Sequence, residues 1–171
     1  MQYLKVDTAL GICMIEYQAM PPLVNRIRLP GTGKGANCSL SVRGSGQADE
    51  QVDEKVPREI LEIAESLRRY FAHGETPAVP WACLNMAQLT PNQRQLLREV
   101  AKIPGGTVQT YGAVARLAGF SGAARFAGNA LAKNPFPVLI PCHRVIRADG
   151  DIGGFGGGRA MKQKMIDLEK A

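Results

Sequence analysis

TYGAVARLAGFSGAARFAGNALAKNP, residues 110–135, decides how this chain is read. Two short helical patterns flank Gly119-Phe120-Ser121. A glycine at the break suits a tight turn between helices. The spacing therefore predicts a helix-turn-helix. In its second helix Ala123, Ala127, Ala130 and Leu131 share one face, and Arg125, Asn129 and Ala132 share another. That outer face is nearly bare around one arginine, so a duplex could approach its backbone closely. An alanine-rich core helix would show the same spacing, so the pattern alone does not separate DNA binding from packing.

Next along the chain stands VLIPCHRVIRADG, residues 138–150. It reads as a strand that ends in polar residues. Cys142 carries the most nucleophilic side chain, and His143 beside it is a base. A thiol of ordinary acidity is only a few per cent thiolate at neutral pH, so a base nearby matters. Neighbours on an extended strand point to opposite faces. Contact between the two therefore needs a bend or a bridging water. A carboxylate would orient the imidazole, as in a catalytic triad. Glu169 is the first candidate, ahead of Asp149 and Asp151. The glycine-rich stretch 150–158 reads as a loop and Arg159 to Lys170 as a helix. Met161, Met165 and Leu168 line one side of it. Lys162, Met165 and Glu169 stack a turn apart, which lets Glu169 point back toward the core.

Toward the N-terminus, Thr90 with Gln93 forms a capping box, and Pro91 suits the first helical position. Leu96, Leu97 and Val100 make the buried stripe, and Pro104-Gly105-Gly106 ends the helix. Residues 73–88 read as a linker. From Pro57 to Ala72, the positions Ile60, Ile63, Ala64, Leu67 and Phe71 follow helical spacing. Two short strands lie within residues 3–18 around a turn at Ala9-Leu10-Gly11, and Leu23–Leu29 alternates as a third. Residues 30–54, rich in Gly, Ser and charge, read as a loop. GTGKG within it lacks the spacing and the following helix of a phosphate-binding loop. The organisation is an α/β (α+β) chain of two parts, residues 1–85 with the linker and residues 86–171.

The length of 171 residues and an apolar fraction of 45% suit one domain or two small ones with a packed core. There is no apolar run of about 18 residues, so no membrane partner is expected. The N-terminus lacks the charged and apolar regions of an export signal, so the cytoplasm is the expected location. Cys13, Cys38, Cys83 and Cys142 are widely spaced and read as free thiols. Together with His73 they show no metal-ligand spacing, so no metal is expected. Residues 1–85 carry nine basic and ten acidic residues, and residues 86–171 carry twelve and five. The whole excess of +6 thus comes from the second half, which points to an anionic partner there, nucleic acid first.

At this point the residues carry a resemblance. NPFPVLIPCHRVI (134–146) resembles the active-site segment of the O6-alkylguanine-DNA alkyltransferase family. TPNQRQLL (90–97), IPGGTVQTYG (103–112), ARFAGNALAKNP (124–135) and the glycine loop match in order, from about Thr90 to Glu169. RRYFAHGE (68–75) resembles the family's helix before the linker, and the first 85 residues otherwise match loosely. The resemblance implies a small, RNase H-like N-terminal sheet domain and a C-terminal winged helix-turn-helix domain that carries the active site.

It also implies roles. Cys142 matches the alkyl acceptor, His143 the water-assisted base, and Glu169 its carboxylate partner. Asn134 matches the asparagine that braces the helix-turn-helix against the active-site strand. Lys162 falls where the family has a lysine near the cysteine. Arg125 matches the arginine finger that fills the space of a flipped guanine. Tyr111 matches the tyrosine that pushes the 3′ phosphate and contacts the flipped base. Ser121, Gly122, Ala124 and Asn129 complete the expected DNA surface. Val145, Phe155, Gly156 and Gly157 complete the substrate pocket, with the carbonyls of Cys142 and Val145 reading the guanine amino group. The chain departs from the family at Phe155 and Gly156, where a tyrosine and a serine are common, and at Phe126, where a smaller residue is commoner. The glycine at 156 removes a hydroxyl that could hold the guanine O6.

The expected function is single-turnover repair of O6-alkylguanine in double-stranded DNA, with O4-alkylthymine a further candidate. The expected protein is a monomer that uses no cofactor. The intact Cys142 argues against the first alternative, a non-catalytic helix-turn-helix lesion-binding or regulatory protein. The second, a thiol hydrolase, would need an oxyanion hole that the sequence does not display.

Overall fold

The computed structural model describes residues 1–31, 41–42 and 56–170. Strands β1 (Gln2–Thr8), β2 (Gly11–Gln18) and β3 (Leu23–Arg28) form where alternation placed them. A two-residue strand β4 (Ser41–Val42) adds to β1 in parallel, giving the order β3-β2-β1-β4. The loop reading of residues 30–54 is corrected at these two positions, and the rest of that stretch beyond Gly31 lies outside the described residues. Leu4, Val6, Cys13, Ile15, Tyr17, Val24 and Ile27 are buried, one face of a half-covered antiparallel sheet.

Helix α1 (Arg58–His73) covers that sheet with Ile60, Ile63, Ala64, Leu67 and Phe71. Pro57 sits at its N-cap rather than inside its first turn. Gly74 ends it in the left-handed conformation, its N–H bonded to the Tyr70 carbonyl at 2.8 Å. A Cβ at Gly74 would come within 2.7 Å of the Leu168 carbonyl oxygen, so only glycine lets the two chain segments meet here.

Residues 73–88 are more ordered than a linker. They hold two short 3₁₀ turns, Trp81–Cys83 and Met86–Gln88, and Asn85 N–H donates to the Val24 carbonyl at 2.9 Å. Helix α2 (Pro91–Val100) starts on the expected capping box. It stops at Val100, before the proline-glycine signal, and the next residues continue as turns. Strand β5 (Gln109–Thr110) leads into α3 (Tyr111–Leu117), and α4 (Ala124–Ala132) follows a turn with Gly119 at φ +80°. Ala127, Ala130 and Leu131 are buried against the bundle, while Arg125, Asn129 and Ala132 are exposed.

The PCHRV segment is not a strand. Cys142–Arg144 form a 3₁₀ turn, and only Val145–Ile146 (β6) are extended, pairing in parallel with β5. Pro141 and a tight preceding turn, Ile140 N–H to Phe136 O at 2.8 Å, bend the chain before the cysteine. Helix α5 (Arg159–Leu168) ends two residues earlier than its pattern suggested, leaving Glu169 as its C-cap. One continuous apolar core runs from Leu4 to Met165, and Ile27 N–H bonds the Pro135 carbonyl at 2.8 Å. Among the described residues no helix is long and apolar enough to cross a membrane.

Candidate active site

The 3₁₀ turn spreads three consecutive side chains around a three-residue period. Cys142, His143 and Arg144 are all buried, yet each meets different partners. Cys142 Sγ accepts a hydrogen bond from Asn134 Nδ2 at 3.1 Å. The same nitrogen donates to the Ile140 carbonyl at 3.0 Å, and Asn134 Oδ1 accepts from Phe136 N–H at 3.0 Å. Asn134 thus holds both the sulfur and the backbone before it. Burial pushes the Cys142 thiol up, while the Asn134 donor and the Lys162 ammonium oppose this.

His143 meets a carboxylate and a hydroxyl. Its Nε2 lies 2.7 Å from Glu169 Oε1 and 3.0 Å from the Tyr70 hydroxyl. With a carboxylate so close, Nε2 carries the proton and Nδ1 keeps its lone pair. Nδ1 is buried and has no hydrogen-bond partner among the described residues. Burial holds the imidazole below its ordinary pKa, against the pull of Glu169, so it is neutral at pH 7.

Glu169 is the hub. Arg144 grips it with two prongs, Nε to Oε2 and Nη2 to Oε1, both at 2.9 Å. Tyr70 Oη donates to Oε1 at 3.0 Å, and Gly106 N–H to Oε2 at 3.3 Å. Burial alone would raise the carboxyl, but the His143 and Arg144 hydrogen bonds outweigh it and hold Glu169 at about 2. Arg144 is itself completed by Thr76 Oγ1 at 2.8 Å and by the Ile103 carbonyl. Asp149 and Asp151, weighed as partners of His143, engage Arg147 and Arg159 instead.

Lys162 is fully buried and donates to the Val145 carbonyl at 2.6 Å. That carbonyl, expected to read guanine, therefore offers its second lone pair alone. Burial lowers Lys162 to about 8, with Cys142 pulling the other way. Its ammonium lies 5.7 Å from the centre of the Tyr111 ring.

Cys142 lines a cavity of about 450 Å³ together with Tyr111, Leu131, Arg147, Gly153, Phe155 and Gly156. That size suits a small organic ligand such as a base. A second, smaller cavity of about 200 Å³ reaches Cys142 from the β3 side, past Arg26, Pro137, Phe155 and Gly157. Asp151 and Arg159 tie the two ends of the glycine loop, with bonds of 2.8 and 2.9 Å. Asp151 Oδ1 also accepts from Gly153 N–H at 2.7 Å.

Cys142, His143, Glu169, Asn134, Lys162 and Tyr111 thus gather at one place. Val145, Phe155, Gly156 and Gly157 border it. Arg125 stands apart, exposed on α4 with Ala124 and Asn129, and Ser121 and Gly122 are exposed in the turn before that helix. Sequence reasoning missed Arg144, Tyr70 and Thr76. Tyr70 lies three residues beyond Leu67 on the buried stripe of α1, a signal that was available.

Residues 91–171 match the model of the 6-O-methylguanine DNA methyltransferase DNA-binding domain. The methylated-DNA–protein-cysteine methyltransferase of Methanothermobacter thermautotrophicus is 40% identical over 68% of this chain, which spans 65% of that relative's length. The Rattus norvegicus protein of the same name is 31% identical, over 92% of this chain and 83% of its own. The crystal structure of Mycobacterium tuberculosis OGT in complex with DNA superposes with a TM-score of 0.74 at 25% identity, over 99% of this chain and 93% of that one. The methyltransferase of Pyrococcus kodakaraensis shares the fold, with a TM-score of 0.70 at 20% identity, 99% of this chain and all of that one being covered. The α/β architecture thus has counterparts along nearly the whole chain, and the chain belongs to the methylated-DNA–protein-cysteine methyltransferase family.

Proposed function

We propose that this protein repairs DNA by moving the alkyl group of an O6-alkylguanine onto Cys142, once per molecule. The observation that carries this reading is the placement of Cys142 on a base-sized cavity, its sulfur held by Asn134, with the His143–Glu169 pair beside it in the chain's fold. A guanine swung out of the duplex enters past Tyr111 and the glycine loop. Arg125, on the bare outer face of α4, fills the space it leaves.

The buried thiol rests protonated, so a base must take its proton as the bond forms. His143 Nδ1, with its lone pair and no partner among the described residues, receives it through a water between the two residues. Glu169 then stabilises the imidazolium through Nε2. Sulfur attacks the alkyl carbon in line, the carbon–O6 bond breaks, and the departing guanine takes up one proton while the imidazolium gives back the thiol's, so His143 ends neutral. General-base help of this kind is worth roughly 10²–10⁴-fold. The thioether has no easy leaving chemistry, so the reaction stops at one turnover. The protein acts on duplex DNA as a monomer.

The intact acceptor, set on an open cavity, disfavours a purely lesion-binding role. The test is stoichiometry. With excess duplex containing O6-methylguanine, methyl uptake should rise to one per protein and stop. Continued turnover, or no uptake with tight binding, would contradict the reading.

A further inference from the structure

We propose that Tyr70 is a positioning residue for alkyl transfer: from α1, its hydroxyl fixes the His143–Glu169 couple, so the first half of the chain completes the active site. The proposal rests on the reading that Cys142 accepts the alkyl group.

Three polar atoms close a triangle inside the protein. Tyr70 Oη is 3.0 Å from His143 Nε2 and 3.0 Å from Glu169 Oε1, and those two are 2.7 Å apart. The tyrosine side chain is fully buried. A buried hydroxyl needs one partner to be satisfied. This one meets both members of the couple at once, so the ring of His143 cannot swing without breaking two contacts. The tyrosine and histidine rings also touch, their centres 5.8 Å apart.

The hydroxyl also sets how strongly Glu169 holds a charged imidazole. Oε1 accepts from Tyr70 Oη, from His143 Nε2 and from Arg144 Nη2. Charge shared with the hydroxyl is not available to the imidazolium. Among the described residues, the titratable and charged groups that face His143 are Glu169 and Lys162 from α5 and its cap, Cys142 and Arg144 from its own turn, and Tyr70 from α1. Only Tyr70 comes from the first half of the chain, and it lies outside the 91–171 segment that the family model covers. Its position is fixed by the chain itself. The Gly74 cap takes the Tyr70 carbonyl, and Gly74 abuts the backbone of Leu168 and Glu169.

The experiment uses the full chain. Tyr70→Phe keeps the ring and its edge-on contact with Phe71 but removes the hydroxyl. The chain has two histidines, so ¹⁵N NMR follows the His143 imidazole directly. Without the hydroxyl, Glu169 holds the imidazolium more tightly, and the His143 midpoint should rise by roughly 0.5–1 pH unit. The acid limb of transfer from O6-benzylguanine to the protein should move up by the same amount. A difluorotyrosine at position 70, a stronger donor, should move both the other way. If neither replacement moves the midpoint or the limb, or if the rate merely falls equally at every pH, Tyr70 only packs and the proposal is overturned. Failure of the functional reading looks different: the parent chain itself would take up no alkyl group, while the His143 midpoint would still report on Tyr70.

Discussion

Arg144 and Glu169, 25 residues apart in sequence, form a two-pronged ion pair inside the protein, with side chains 1% and 2% exposed. Burying two charges is costly, and the geometry offsets that cost only while both partners are present. Arg144→Met would leave the carboxylate buried with its main partner gone. The expected loss is about 3–5 kcal/mol of folding stability. Urea unfolding checks it, and adding Glu169→Gln to Arg144→Met should restore part of the loss. A loss under about 1 kcal/mol would show that the pair does not hold the fold.

Acid should find the same pair. The Glu169 carboxyl sits at about 2 in the fold against an ordinary 4.5. A depressed carboxyl contributes stability above its unfolded pKa and loses it as pH falls toward the folded value. Its contribution, on the order of 3 kcal/mol, should therefore drain away between about pH 4.5 and 2. His143, lowered by burial, adds to the loss in the same direction from its ordinary 6.5 downward. The measurement is unfolding free energy against pH for the parent and Glu169→Gln. The gap between them should narrow across that window, and a constant gap would refute the assignment.

Asn134 is expected to tune the sulfur. Asn134→Ala removes the donor at 3.1 Å from Sγ and leaves the Ile140 carbonyl without its side-chain partner. The thiol should move further up. The alkylation rate at neutral pH should then fall roughly 10–100-fold, the worth of one hydrogen bond to a charged group. Iodoacetamide labelling across pH measures both the thiol midpoint and its reactivity. An unchanged midpoint would remove Asn134 from the chemistry.

Much of this site was legible because its signals are local. The Thr90 and Gln93 cap declares itself within four residues, and Lys162 and Glu169 follow from one helical period. The Cys142 turn was misread as a strand because its apolar flanks mimic one. What bends it is the turn from Phe136 to Pro141, with Val138 at φ +75°, a conformation β-branched residues rarely adopt. No local propensity signals that. Arg144 and Tyr70 escaped notice for a related reason. Their meaning lies in a partner 25 and 99 residues away, which only the folded chain brings near.

Arg125 separates base flipping from plain binding. A phosphate contact alone would lower affinity and reduce the salt slope by about one. A side chain that replaces the extruded base offsets an unstacking cost of a few kcal/mol. Arg125→Ala should therefore slow repair of duplex DNA far more than reaction with O6-benzylguanine, which needs no flipping. Rates on both substrates at one salt concentration decide it, and equal losses would end the finger role.

Cys142 as alkyl acceptor is the proposal on which the others depend. Peptide mass spectrometry after incubation with duplex DNA containing O6-methylguanine tests it most directly. One added methyl is expected on the Cys142 peptide, with Cys13, buried in the sheet, and Cys83, half-buried near α1, unmodified. No uptake is expected by Cys142→Ala, which still binds the duplex. Full methyl uptake by Cys142→Ala, or a methyl found on another cysteine of the parent chain, would contradict it.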